Sequence, residues 1–202
     1  MELPKIISVD DHVVEPPHVW RDWLPAKYRD RGPRVERRGI GQLAYRGGGV
    51  YDQQFDPDGP PADCWIYEDL VYINKRHVAA VGFSRDEMEL KPITYDEMRP
   101  GCYEVKARVA DMEANWVDGS LSFPTFPRFC GQTFLEAKDR ELAMACVVAY
   151  NDWMVEEWCG ESGGMLIPLI IIPLWDPQAA ADEVRRNAAR GVRALAFSEI
   201  PP

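Results

Sequence analysis

Asp10, Asp11 and His12 stand in a row just after a short, mostly β-branched run, Ile6 to Val9, and no other stretch of the chain is better placed to do chemistry. Side chains on a strand alternate between faces, which sends Asp10 and His12 to one side and Asp11 to the other. A carboxylate and an imidazole two residues apart at the C-terminal end of a strand can hold one divalent metal between them. The same residues admit a plainer use. Asp10 or Asp11 can cap the following turn, and His12 can hydrogen-bond a loop carbonyl.

The elements that position these residues must come from a chain of 202 residues, enough for one domain with a real core. Apolar residues make up 46% and charged residues 28%, ordinary for a globular protein. The net charge of −10 and a pI near 4.8 repel phosphate backbones and anionic lipid. Neither nucleic acid nor a membrane is therefore expected as a partner. The longest apolar run, Met165–Trp175, is interrupted by Pro168 and Pro173 and falls short of the roughly 20 residues a bilayer needs. The start, Met-Glu-Leu-Pro-Lys, shows no secretory pattern. Cys64, Cys102, Cys130, Cys146 and Cys159 are scattered without a paired spacing, which fits reduced thiols and a cytoplasmic location.

A long excursion runs from about Val13 to Cys102, rich in Pro, Gly, Trp and Tyr. Gln42–Tyr45 and Val50–Phe55, around Gly47, Gly48 and Gly49, predict a hairpin, and Trp65–Ile73 predicts further extended structure. So long a connection either covers a site or packs as an insertion against a sheet end. From Glu104 the pattern is regular. Val105, Val109, Met112 and Trp116 predict one apolar face of a helix, and Ser120–Pro124 a strand. Thr133-x-x-Glu136 has capping-box form; it, or Asp139, opens a long helix to about Trp158. Leu166–Ile172 predicts a buried strand, Asp176-Pro177 a helix start with Ala180, Val184 and Ala188 on one face, and Val192–Phe197 the next strand. Two consecutive β-α-β units give an α/β fold with a parallel sheet and right-handed crossovers.

These stretches resemble the amidohydrolase superfamily, in its amidohydrolase-related branch, which includes aminocarboxymuconate-semialdehyde decarboxylase and the resorcylate decarboxylases. The resemblance rests on Ser8-Val-Asp-Asp-His-Val-Val-Glu-Pro-Pro17 and on Arg108-Val-Ala-Asp-Met-Glu-Ala-Asn-Trp-Val-Asp118. Phe123-Pro-Thr-Phe-Pro-Arg128, Ala149-Tyr-Asn-Asp-Trp153 and Gly191-Val-Arg-Ala-Leu-Ala-Phe197 follow in the family's order. It implies a TIM-barrel-like fold with a divalent metal, Zn²⁺ or Mn²⁺, at the C-terminal ends of the strands. The family's acid-or-His, one residue, then His falls on Asp10 and His12, with Asp where His or Glu is commoner. The remaining ligands, a His on a middle strand and a late Asp, have no counterpart here. The only other histidines are His18, expected in a turn, and His77, which either overhangs the site or lies on the surface. The resemblance thus implies the N-terminal half of a barrel, about four strands in a single domain over residues 1–202.

Loops after barrel strands reach the chemistry. After the second strand this selects Phe126, Arg128 and Gln132, with Arg128 able either to clamp a substrate carboxylate or to pair with a nearby acid. After the third it selects Leu174 and Trp175, a pocket wall or core; after the fourth, Ser198 and Glu199. Asn151 and Trp153 are expected to lock the long helix to the barrel. No Gly-x-Gly-x-x-Gly, Walker or Gly-x-Ser-x-Gly pattern competes. The expected activity is a metal-dependent hydrolase or non-oxidative decarboxylase, a carbon–carbon lyase, acting on a small carboxylated molecule, aromatic ones included. The alternative is a non-catalytic half-barrel or a partner-dependent structural chain. The open edge of the last strand invites pairing, and a homo-oligomer is expected.

Overall fold

The computed structural model describes residues 4–47 and 50–198. β1 (Ile6–His12) opens the chain and is followed by a short helix, α1 (Val19–Trp23). The excursion then folds into two antiparallel hairpins, β2 (Arg34–Gly47) with β3 (Val50–Phe55), and β4 (Pro61–Tyr67) with β5 (Leu70–Ile73). They join through β2 and β4 into one sheet of order β3-β2-β4-β5. The first hairpin is the expected one; Gly48 and Gly49 lie outside the described residues. β4 is buried from Ala62 to Tyr67 because it is an inner strand covered on both faces. Trp65 and Tyr67 enter the main core, while Ala62, Cys64 and Ile66 close a smaller cluster with Ile40 and Ile73.

The second half builds a parallel arc. α2 (Val105–Ala114) leads into β6 (Val117–Phe123), which pairs with β1. Met112 is buried as expected, but Trp116 is not on the buried face: it is 68% exposed at φ 55°. The side chain of Asn115 donates to the Asp111 carbonyl and the helix ends at Ala114, two residues short of Trp116, so the strand begins at Val117. The capping box at Thr133 does not form. The Thr133 hydroxyl donates to the Phe126 carbonyl at 2.8 Å, and only a short helix, α3 (Gln132–Leu135), results. Asp139 is the working cap: its carboxylate accepts the Leu142 N–H at the start of α4 (Arg140–Trp153), which continues through a π-helical turn, Met154–Trp158.

Pro168 splits the third strand. β7 (Leu166–Ile167) pairs with β6, and β8 (Leu169–Ile170) pairs with β9 (Ala194–Leu195), all parallel. Between β8 and β9 runs α5 (Pro177–Ala189), capped by Asp176 through the N–H groups of Gln178 and Ala179. The expected apolar face of α5 is not its buried face. Glu183 and Asn187 are buried, while Val184 and Ala188 line an open groove with Ile170 and Leu195. The reason is a polar network to α4: the Glu183 carboxylate accepts from Asn151, Arg186 and Asn187 at 2.7–2.8 Å.

The main core lies between α1, the Trp65 face of the second sheet, α4 and the outer side of the arc. The inner side of the arc is apolar and open. Ile7, 54% exposed, and Ile167 close over Gly119, where a Cβ would lie 3.1 Å from the Ile7 side chain.

Candidate functional site

The end of β1 is shaped by an irregularity. Ser8 pairs with Ser120 and Asp11 with Ser122, so Val9 and Asp10 stand opposite Leu121 alone. Two residues against one is a β-bulge, which re-aims the side chains that follow. Ser8 and Asp11 line the same cavity beside α2, whereas strict alternation would separate them. His12 borders that cavity as well as a second cleft at the strand ends, and Asp10 lines neither. Both are exposed.

Asp11 is held in place. Its Oδ2 accepts from the Ser120 hydroxyl and lies 3.9 Å from Arg108 Nη1. Arg108 in turn donates to the His12 carbonyl at 2.7 Å and to the Gly101 carbonyl at 2.6 Å, with its guanidinium 5.5 Å from the Trp158 ring. Burial pulls the Arg108 pKa down, and Asp11 opposes it. This pair fixes the backbone that carries His12.

His12 faces a cleft of about 330 Å³ at the C-terminal ends of β1 and β6, shared with Tyr72, His77, Thr125, Arg128 and Phe129. Phe129 stacks on Phe123 at 4.7 Å, and the His12 ring lies 5.9 Å from Phe123, so one wall is aromatic. Thr125 Oγ1 is buried without a hydrogen-bond partner, a polar atom left for a ligand or water. His77 comes from the excursion. Partial burial, and then the neighbouring Lys75, pull its pKa down, which favours the neutral imidazole. The excursion's sheet packs on the core through Trp65 and Tyr67, and its Tyr72 and His77 line the cleft.

Arg128 reaches the cleft from a strained backbone, φ 62°, and its Nη1 pairs with Glu136 at 2.6 Å. That ion pair engages a single nitrogen of a fork that offers five donors. Exposed ion pairs contribute only about 0–1 kcal/mol, so a bound carboxylate can compete for this guanidinium. Phe126, expected in the pocket, is instead wholly buried against Trp65 and Trp20. The β6–α3 loop turns it inward while Arg128 and Phe129 turn outward. Trp175 is half-buried under the Arg140 guanidinium, 5.0 Å away, and lies outside the lining of the cleft, as do Leu174 and Ser198. Gln132 accepts the Cys130 N–H. Glu199 lies outside the described residues. His18 precedes α1, with Nε2 2.6 Å from Glu157. Asn151 locks α4 to the strand arc, as expected, through both N–H and C=O of Ile171. All five cysteines are unpaired and buried, and burial pushes the Cys159 thiol up to about 12. Among the described residues no helix is long and apolar enough to cross a membrane.

A family model described as amidohydrolase matches residues 12–202. The chain belongs to the amidohydrolase family. No curated protein gives a significant match. Among solved structures the chain is similar to an amidohydrolase of Mycobacterium avium subsp. paratuberculosis K-10, at 22% identity and a TM-score of 0.57. The match covers 95% of this chain and 48% of that one, so this amidohydrolase chain spans about half the length of its solved relative. The likeness supports a TIM-barrel-like fold for the chain. Divalent metals are general in this superfamily. Asp10 and His12 offer one oxygen and one nitrogen donor of suitable type. Among the described residues no group of three or more His, Cys, Asp or Glu is placed so that it could hold a metal ion, so Asp10 and His12 alone do not make a complete ligand set.

Proposed function

We propose that this amidohydrolase is a metal-dependent hydrolase or non-oxidative decarboxylase acting on a small carboxylated molecule, aromatic ones included. The observation that carries the reading is the cleft that joins His12, His77 and Arg128 at the strand ends. Asp10 and His12 would hold the metal, Zn²⁺ or Mn²⁺, which supplies Lewis-acid polarisation and a more acidic bound water. Arg128 would bind the substrate carboxylate, Thr125 Oγ1 would bond a substrate oxygen, and the Phe123–Phe129 wall would stack a ring. His77, whose lowered pKa favours the neutral form, would accept a proton or a hydrogen bond. The reduced, buried thiols favour a cytoplasmic location. The test is metal content and turnover of carboxylated substrates in the purified protein. Stoichiometric Zn²⁺ or Mn²⁺, lost in an Asp10→Ala/His12→Ala variant that still folds, is the expected result. A metal content that the substitutions leave unchanged would sink it.

A second reading rests on the open inner face of the arc. Ile7 and Ile167, which meet over Gly119, are exposed on strands of a fold whose interior is normally packed. On this reading the 202 residues are the N-terminal half of a barrel, inactive until further strands cover that face. Expressed alone, the chain should self-associate in size-exclusion chromatography with light scattering. A monodisperse monomer with turnover would refute this.

A further inference from the structure

Glu15 lies three residues beyond His12 and is wholly buried. Its Oε1 accepts the backbone N–H of Thr125 and its Oε2 that of Phe126, both at 2.9 Å. Around it stand three phenols, Tyr72 from β5, Tyr95 from the excursion and Tyr150 from α4, each kept neutral by burial. Tyr95 donates to the Glu15 carbonyl at 2.6 Å rather than to its carboxylate. Desolvation raises the Glu15 pKa to about 7, against the pull of the two N–H groups. A carboxylate in such surroundings is costly unless its oxygens are bonded, and here both are bonded by one loop.

That loop supplies four residues of the cleft, Pro124, Thr125, Arg128 and Phe129. Residues 125 and 126 are tied otherwise by a 3.2 Å bond from Arg128 N–H to the Thr125 carbonyl and by the Thr133 hydroxyl on the Phe126 carbonyl. The rest of the loop is held by Thr133 N–H on the Pro127 carbonyl, Gly131 N–H on the Arg128 carbonyl and Cys130 N–H on the Gln132 side chain. Arg128 sits at positive φ, a conformation a non-glycine residue keeps only where its surroundings over-determine it.

We propose that Glu15 is the positioning residue of the cleft: its carboxylate, by accepting the successive N–H groups of Thr125 and Phe126, sets the loop that presents Arg128. The functional half of this statement rests on the cleft being the substrate site. Glutamine is nearly isosteric, but its NH₂ cannot accept, so Glu15→Gln leaves one of the two N–H groups facing a donor.

Hydrogen exchange followed by mass spectrometry, near pH 8, compares the 202-residue chain with Glu15→Gln. The peptide spanning residues 124–131 should exchange about tenfold faster in the variant, with α4 unchanged. Benzoate, as a probe carboxylate, should bind about tenfold more weakly by calorimetry. Unchanged exchange at 124–131, or faster exchange throughout the chain, overturns the proposal. Local loosening in a protein that never binds benzoate keeps the positioning role and removes the carboxylate reading of the cleft. Should the variant not fold, the unsubstituted protein gives the same answer. Below about pH 7 a protonated Glu15 loses one acceptor, so protection at 124–131, corrected for intrinsic rate, should fall relative to α4. His12 and His77 also face the cleft, but neither bonds the Thr125 or Phe126 N–H. Constant protection across that range overturns the proposal.

Discussion

Trp20→Ala is expected to lower the unfolding free energy by about 3–5 kcal/mol, read from urea denaturation. The indole is wholly buried and its ring lies 5.0 Å from Trp65, 5.2 Å from Phe126, 5.9 Å from Phe134 and 6.4 Å from Tyr150. Nε1 donates to the Cys146 carbonyl at 3.1 Å. These partners belong to β4, the β6–α3 loop, α3 and α4, so one side chain joins the excursion to the arc. Truncation removes the packing of a large ring and leaves a cavity that four rigid aromatic groups cannot easily collapse into. The consequence reaches the cleft, because the excursion that Trp20 anchors also carries Tyr72 and His77. Trp116→Ala is the matched control: the same deletion at a 68% exposed site should change stability by no more than about 0.5 kcal/mol. A Trp20→Ala loss below about 1.5 kcal/mol would show that the excursion docks through its sheet alone.

Local chemistry made much of the second half legible in advance. A proline after an aspartate at 176–177, an aspartate at 139 before an apolar helical pattern, and Gly191 at φ 93° each act on their own few residues. Their consequences are the same in any tertiary setting. Trp116 failed by the same logic: helical spacing extended the pattern one step past Asn115, whose side chain caps the helix by a competing bond. The order of motifs pointed to the family because it sums many weak local signals.

What stayed hidden depends on distant partners. The bulge at Val9 and Asp10 exists only against β6, over a hundred residues later, and no periodicity within β1 reports it. Phe126 and Arg128 are two residues apart on a loop, and which of them turns inward is decided by the aromatic cluster of Trp20 and Trp65. Glu15 reads in sequence as one more acid before two prolines. Its use follows from the Thr125 and Phe126 N–H groups meeting it across the fold. On α5 the alanines and Val184 suggested the buried face, yet Glu183 and Asn187 took it because α4 offers Asn151 and Asp152 as polar neighbours. Hydrophobic patterning is a statement about averages, and a fully satisfied polar network can outweigh three small side chains.

That network supports the other large expected effect, Asn151→Ala. The amide of Asn151 donates to the Ile171 carbonyl at 2.9 Å and to Glu183 Oε1 at 2.7 Å, and accepts the Ile171 N–H at 2.9 Å. Asn151 is wholly buried, so water does not replace these partners. Removing it orphans two backbone groups just past β8 and takes a donor from a buried carboxylate, at about 1–3 kcal/mol for each unsatisfied group. A loss of about 3–5 kcal/mol in chemical denaturation is expected. Glu183 retains Arg186 and Asn187, and Arg186 retains Asp152 at 2.6 Å, so α5 itself should stay helical while its hold on α4 loosens. Asn151→Asp separates packing from donation. It keeps the acceptor for Ile171 N–H and nearly the same volume, but sets a carboxylate against Glu183 and the Ile171 carbonyl. It should cost at least as much as alanine near neutral pH and recover part of the loss in acid, where the introduced carboxyl group, once protonated, regains one donor. If alanine costs less than about 1 kcal/mol, the Arg186 and Asn187 bonds suffice to fix α5. The third strand would then be held by its pairing with β6 and β9 alone.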